Sequence, residues 1–111
     1  MITWPSLIHY RGEDELSYIS DDEEWSIDPD LHFHSYDEGD TLIDSHGKVY
    51  SLPYDNKEKK VVIKLTDRIL SIEEFGELII KHLASLNQCC VSKISISSFE
   101  KGMLIVEKTN E

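Results

Sequence analysis

The most suggestive chemistry in this chain is a pair of histidines separated by one residue, His32 and His34. In an extended chain, side chains two residues apart project to the same side, so both imidazoles can reach one ion. Three aspartates lie nearby in the sequence, Asp30 before the pair and Asp37 and Asp40 after it. A combination of imidazole and carboxylate ligands suits zinc, nickel or iron. No third ligand stands at a diagnostic spacing. We therefore favour surface or partly buried histidines and keep a metal site at this pair as the alternative.

The other reactive residue types give weaker indications of chemistry. Cys89 and Cys90 are adjacent and form no C-x-x-C motif, which favours packed free thiols over a disulfide or a redox centre. His82 lies on the flank of an apolar helical stripe, which is typical of a histidine that satisfies its ring nitrogens locally. Phosphate-binding and nucleophile motifs are absent from the sequence. We therefore nominate no catalytic or cofactor-binding residue, expect no cofactor, and regard an enzyme as the less favoured interpretation.

Negative charge is concentrated in the first half of the chain. Residues 13–44 hold thirteen carboxylates and no Lys or Arg, and the net charge of the whole chain is −11. Such a surface repels phosphate backbones and anionic lipid, so we expect no direct nucleic-acid binding and no membrane binding. It attracts basic protein surfaces. The simpler interpretation of the same residues is a solvated acidic face that keeps the protein soluble.

Length and composition predict one domain over residues 1–111. Aromatic and aliphatic residues are spread through the acidic stretch, so we expect it to fold with the rest of the chain. The sequence shows neither a signal peptide nor an apolar run of membrane-spanning length. Together with the unpaired cysteines, these features predict a cytoplasmic protein.

Two β-hairpins are predicted from short apolar strands on either side of glycine-containing turns. The first has strands over residues 7–11 and 15–19, and the second over residues 41–44 and 48–52. The second loop has three residues, and Gly47 is expected in its left-handed position. These hairpins predict antiparallel pairing through most of the first half of the chain.

A short helix is predicted between the two hairpins. Ser20 and Glu23 have the spacing of a capping box, and the acidic residues that follow complement the helix dipole. The helix carries Trp25 and must stop before Pro29.

The second half of the chain predicts a strand, a long helix and another strand. The strands cover residues 61–65, which we expect to be central because they are so apolar, and residues 91–96. The helix covers residues 71–86 and begins with a capping box of Ser71 and Glu74. Two strands joined by a helix in one sheet run parallel with a right-handed crossover, so this is a predicted βαβ unit.

The last segment, residues 98–109, fits two interpretations. A helix would turn Met103, Val106 and Leu104 inward, whereas Gly102 weakens that helix and leaves a strand possible. With the helix, the prediction is an α+β fold. It has a mixed sheet built from the N-terminal hairpins plus the βαβ unit, covered by one long helix and a short C-terminal helix.

Four segments resemble a known group of proteins: residues 2–8, 12–16, 42–50 and 89–94. They are similar to segments of small uncharacterised gamma-proteobacterial proteins of about this length, which begin with a Trp-Pro pair. The resemblance implies a bacterial cytosolic protein. That family has no assigned activity, so the resemblance implies no catalytic residue.

These observations predict a small acidic protein that binds a basic partner surface as an interaction or regulatory module. Exposed aromatic residues such as Trp4, Tyr36 or Tyr54 would anchor the contact. One alternative is a metal-binding protein or metal-dependent enzyme that uses His32 and His34. Another is a DNA-mimic inhibitor, whose carboxylates would stand in for phosphates along an elongated face. A homodimer through the apolar strands is also compatible with the sequence.

Overall fold

The computed structural model describes residues 2–32, 36–86 and 95–110, and for Asp30 and His32 the backbone alone. The described strands are Ser6–His9 (β1), Leu16–Ile19 (β2), Thr41–Ile43 (β3), Lys48–Ser51 (β4), Tyr54–Asp55 (β5), Lys60–Val61 (β6) and Lys64–Ile69 (β7). The described helices are Asp22–Ile27 (α1), Pro29–His32 (α2), Ile72–Ser85 (α3) and Phe99–Thr109 (α4). None of these helices is both long enough and apolar enough to cross a membrane.

Five of the described strands form an antiparallel sheet in the order β2-β1-β3-β4-β7. The strands β5 and β6 pair separately as a small ribbon. Both predicted hairpins are confirmed, since β1 turns into β2 and β3 turns into β4. Gly47 has a φ of 82°, and a Cβ there would lie 2.7 Å from the carbonyl oxygen of Leu70. Glycine is therefore required at this turn by both its conformation and its surroundings.

The sheet separates two apolar layers, because successive strand residues point to opposite faces. Leu7 and Ile43 pair across β1 and β3 and face α3 and α4; we call this side the helix face. The next pair, Ile8 and Leu42, faces α1, the ribbon and residues 2–5, which we call the N-terminal segment. We call this side of the sheet the loop face. All four side chains are buried, so both faces of the sheet are covered.

The long helix α3 forms as its sequence predicts. The Ser71 hydroxyl accepts the Glu74 N–H at 3.1 Å, and the Glu74 carboxylate accepts the Ser71 N–H at 2.9 Å. The apolar stripe that the sequence predicts for this helix consists of Ile72, Phe75, Ile79, Leu83 and Leu86. Its three central members are buried on the helix face. Both the capping box and the stripe are confirmed.

The C-terminal segment is a helix rather than a strand. Its N-cap is Ser98, whose hydroxyl accepts a backbone N–H of the first turn. Gly102 lies where α4 meets α3, and a Cβ there would overlap Cε2 of Phe75. The glycine that weakened the helix prediction thus permits the close approach of two helices. Met103 is buried as predicted, but Leu104 points outward, because the next residue along a helix is rotated by about 100°.

The first helix begins one residue later than predicted. Asp21, not Ser20, is the N-cap, and its carboxylate accepts the Glu24 N–H at 2.8 Å. Glu24 in turn accepts the Ser20 N–H at 2.7 Å. Aspartate and serine are comparable N-caps, so the spacing alone did not separate the two registers. The helix ends at Ile27, before the proline, as expected.

The apolar run over residues 61–65 is not one strand. Val61 ends β6 and is buried on the loop face, whereas β7 begins at Lys64. The Val62 N–H donates to the Pro53 carbonyl at 2.9 Å, which holds this part of the chain against the ribbon instead of the sheet. Among the described strands, β7 pairs with β4 alone, so it lies at the edge of the described sheet and not at the expected central position. Its residue Leu65 is 54% exposed.

The predicted α+β class is confirmed, with one long helix and a shorter C-terminal helix. Every described strand pair is antiparallel. The parallel pair of the βαβ unit depends on residues 91–96, of which 91–94 lie outside the described residues. Parallel pairing in a mixed sheet therefore stays a prediction, as does the packing of Cys89 and Cys90, which lie outside the described residues too.

Candidate functional site

The predicted metal pair falls at the margin of the described structure. The backbone of His32 is the end of α2, which differs from the extended geometry that the prediction assumed. His34 lies outside the described residues. Within residues 2–32, 36–86 and 95–110, no three His, Cys, Asp or Glu side chains are grouped so that they could hold a metal ion. A metal site at His32 and His34 stays an untested prediction.

Two carboxylates of the acidic stretch turn inward and organise loops. Asp40 accepts the Arg11 N–H at 2.7 Å with one oxygen and the Asp37 N–H at 2.9 Å with the other. Asp40 is buried, and Asp44 is fully buried. Neither carboxylate contributes to the surface row of negative charge that a DNA mimic requires.

Asp44 is the centre of the second hairpin turn. Its Oδ1 accepts the N–H groups of His46 at 2.9 Å and Lys48 at 3.0 Å. Its Oδ2 accepts the Thr3 N–H at 3.2 Å and the Tyr50 hydroxyl at 3.1 Å. Burial, together with the nearby carboxylate, raises the pKa of Tyr50 to about 12. Four donors satisfy this carboxylate without a cation, which assigns it a structural role.

His82 is fully buried between β2, α3 and α4. Its Nδ1 accepts the Leu16 N–H at 2.8 Å, and its Nε2 lies 2.7 Å from the hydroxyl oxygen of Thr109. A neutral ring that accepts at Nδ1 carries its proton on Nε2, so Nε2 donates to Thr109. Burial lowers the pKa of His82, and the Glu15 carboxylate opposes this shift. The expectation of a boundary histidine with local partners is corrected, since both of its partners are distant in sequence.

Side chains also close the outer edge of β2. The Tyr18 N–H donates to Asn110 Oδ1 at 2.7 Å, and Asn110 Nδ2 donates to the Leu16 carbonyl at 3.3 Å. With His82, these bonds satisfy edge groups that would otherwise offer a template for another strand. His82 thus serves the assembly of the fold, and we assign it no catalytic role.

An apolar concavity of about 450 Å³ lies between the N-terminal segment and α4; we call it the α4 groove. It is lined by Trp4, Pro5, Tyr18, Ser45, His46, Glu100, Met103 and Leu104. β2 supplies Tyr18, the second hairpin turn supplies Ser45 and His46, and one side of α4 supplies the last three. Ser45 holds the N-terminal wall in place, because its hydroxyl donates to the Pro5 carbonyl at 2.6 Å.

One carboxylate lines the α4 groove, and others lie near its residue Tyr18. Glu100 is part of the wall. The pKa of Tyr18 is raised by burial first and then by the Glu107 carboxylate, with smaller effects of Glu24 and Asp21. A phenol influenced by several carboxylates marks the place where the acidic surface meets the apolar groove.

The aromatic residues predicted as anchors lie in three different places. Trp4 lines the α4 groove. Tyr36 is half-buried, stacks on Tyr10 with ring centroids 6.1 Å apart, and donates its hydroxyl to the Leu31 carbonyl. Tyr54 is 44% exposed on the ribbon. The structure therefore brings Trp4 to a concave surface and places the other two elsewhere.

Sequence reasoning missed Tyr18 and Leu104 as groove residues. Tyr18 lies in a predicted strand, but the sequence does not indicate which helix packs beside that strand. Leu104 is 48% exposed, whereas the apolar pattern of the last segment suggested an inward side chain. An exposed leucine beside a tryptophan becomes recognisable once the direction of α4 is known.

The fold is that of an α+β protein, with an antiparallel sheet covered by two helices. Its apolar groove has no assigned chemistry, so the function of this class of protein is unknown. The chain belongs to the DUF4144 family, described as a protein structure with unknown function, whose model matches residues 4–106. It is also similar to a protein from Shewanella amazonensis with a structure determined by NMR. That likeness has 24% sequence identity and a TM-score of 0.70, and covers 97% of this chain and 90% of the other. No curated protein matches the sequence. The resemblance to uncharacterised proteins is confirmed at the level of the family, and the likeness to the solved structure supports the fold.

Proposed function

We propose that this protein is an interaction module whose α4 groove receives a segment of a partner protein. The segment carries an apolar side chain flanked by Lys or Arg. The observation that carries the proposal is the juxtaposition of an apolar groove of about 450 Å³ with Glu100 in its wall and Glu107 beside its residue Tyr18.

The apolar part of the groove supplies the anchor. Leu104 is 48% exposed although it lies next to Trp4 and Met103 in the groove lining. Covering such side chains removes apolar area from water, at roughly 25 cal/mol per Å². Aromatic side chains in a concave surface are also where binding energy tends to concentrate.

The charges supply orientation and selectivity. Glu100 and Glu107 lie on the same side of α4 as the groove residue Leu104, and the net charge of the chain is −11. A basic segment is drawn to this field, and an acidic one is repelled. Because exposed charges are screened by salt, the affinity should fall as ionic strength rises.

Selection of random peptides displayed on phage, followed by mapping on ¹⁵N-labelled protein by NMR, tests this proposal. The enriched peptides should combine a large apolar residue with neighbouring Lys or Arg, and they should shift amide resonances of Tyr18, Ser45 and Met103. Raising NaCl from about 0.05 M to about 0.5 M should weaken binding by a large factor.

Two matched leucine variants test the site itself. Leu104→Ser should weaken the selected peptide about fivefold or more, because an anchor side chain contributes at least about 1 kcal/mol. Leu65→Ser removes a leucine of similar exposure on β7 and should leave the affinity unchanged. Enrichment of acidic or uncharged peptides, affinity that does not respond to salt, or an equal loss in both variants would contradict the proposal.

A further inference from the structure

A second concavity, of about 300 Å³, lies between α3 and the sheet, away from the α4 groove; we call it the α3 cleft. Its floor is formed by Ile43, Val49 and Leu70, which are all buried. Leu78 continues this apolar surface on the helix side. The inner part of the cleft is therefore apolar.

The rim of the α3 cleft is unusual for this molecule because it is basic. Arg11, Arg68 and Lys81 all line it, although the chain has 11 basic residues against 22 acidic ones. Within the described part of the chain, the ion pair that forms is Lys60 with Glu58, and none of the three cleft cations takes part in one. Arg11 donates one side-chain hydrogen bond, to the Glu38 carbonyl at 3.2 Å. Three cations thus face one small cavity with most of their donors uncommitted to described residues.

Two carboxylates in the same rim limit the charge that the cleft can accept. Glu74 and Glu77 line it beside Lys81. Glu74 already accepts the Ser71 N–H, and this bond lowers the pKa of Glu74 more than nearby Arg68 does. Three cations with two carboxylates leave one positive charge in a strongly negative protein. A monoanion neutralises this charge, whereas a dianion would leave an uncompensated negative charge beside the two carboxylates of a strongly negative protein.

We propose that the α3 cleft binds a small organic monoanion, a carboxylate on a short apolar body. The carboxylate lies among Arg11, Arg68 and Lys81, and guanidinium groups are well suited to hold it. The apolar body lies on Val49 and Leu78. This site is independent of the α4 groove and of the proposed partner.

Titration of ¹⁵N-labelled protein with sodium hexanoate tests the proposal. Hexanamide is the uncharged probe of the same shape, and inorganic phosphate, at an alkaline pH where it is a dianion, is the dianionic probe. Hexanoate should shift the amide resonances of Val49, Leu70 and Leu78 in a saturable manner. Hexanamide should bind at least about tenfold more weakly, because a charge-assisted hydrogen bond contributes about 1.5–3 kcal/mol. Phosphate should not displace hexanoate.

Two rim variants and one control separate this site from general charge attraction. Arg68→Gln and Lys81→Gln should each weaken hexanoate about tenfold, and both replace exposed side chains, so the fold should persist. Lys57→Gln removes an exposed cation on the ribbon and should have no effect. Equal binding of hexanamide, displacement by phosphate, shifts confined to other surfaces, or an unchanged affinity in both rim variants would overturn the proposal.

Discussion

The two faces of the sheet are built in different ways. The helix face is closed by α3 and α4, which approach so closely that Gly102 leaves no room for a methyl group beside Phe75. The loop face is closed by a six-residue helix, the N-terminal segment and the ribbon, and an open concavity of about 760 Å³ lies beside Trp25. Regular helices interlock over a long contact, whereas short elements leave gaps. A change in side-chain volume should therefore cost more on the helix face.

The largest effect should come from removing an aromatic side chain from each face. Phe75→Ala should lower the free energy of unfolding by about 3–5 kcal/mol, since Phe75 is fully buried between the helices and the sheet. Trp25→Ala should cost less, because Trp25 already borders an open concavity. Urea unfolding followed by circular dichroism measures both. A larger loss for Trp25→Ala would reverse the comparison of the two faces.

Adding a methyl group at a helical glycine should give a smaller effect, with opposite signs at two positions. Gly102→Ala should lower the free energy of unfolding by about 1–3 kcal/mol, because its Cβ would overlap Phe75. Gly76→Ala should raise it by up to about 1 kcal/mol, because its Cβ would meet Ile96 at 3.4 Å, an ordinary contact, while alanine favours the helix. Thermal unfolding of both variants provides the measurement. Stabilisation by Gly102→Ala would show that the helices are not tightly apposed.

Acidification should produce the smallest effect, and it should act through the buried histidine at the end of the helix face. Burial lowers the pKa of His82 below its usual 6.5, so the unfolded state binds more protons than the folded state in the range below about pH 6.5. The stabilising contribution of the neutral ring is thus complete above about pH 6.5 and is lost as the pH falls toward the folded pKa. The urea concentration at the unfolding midpoint should therefore decrease as the pH is lowered from about 7.5 to about 5.5.

A control variant separates His82 from the other titrating groups. His82→Asn keeps an acceptor for the Leu16 N–H but cannot titrate. Its unfolding midpoint should change less between the two pH values than that of the unchanged protein. An identical pH dependence in both proteins would show that another group is responsible.

The sequence alone determined the features that a few neighbouring residues encode. Alternating apolar residues with a glycine turn specified both hairpins, and Ser71 with Glu74 specified the start of α3. In each case the turn or cap residue lies within a few positions of the element that it defines, so the pattern can be recognised without knowing the rest of the chain.

Features that depend on partners distant in sequence follow from the packing of the folded chain. Asp44 accepts the N–H of a residue 41 positions away, and His82 accepts one 66 positions away. Close packing against Phe75 makes Gly102 a contact residue of the last segment instead of a helix breaker. The α4 groove and the α3 cleft likewise combine side chains from separate elements. Local patterns carry no information about which surface will lie opposite a side chain, because that is set by how the helices pack on the sheet.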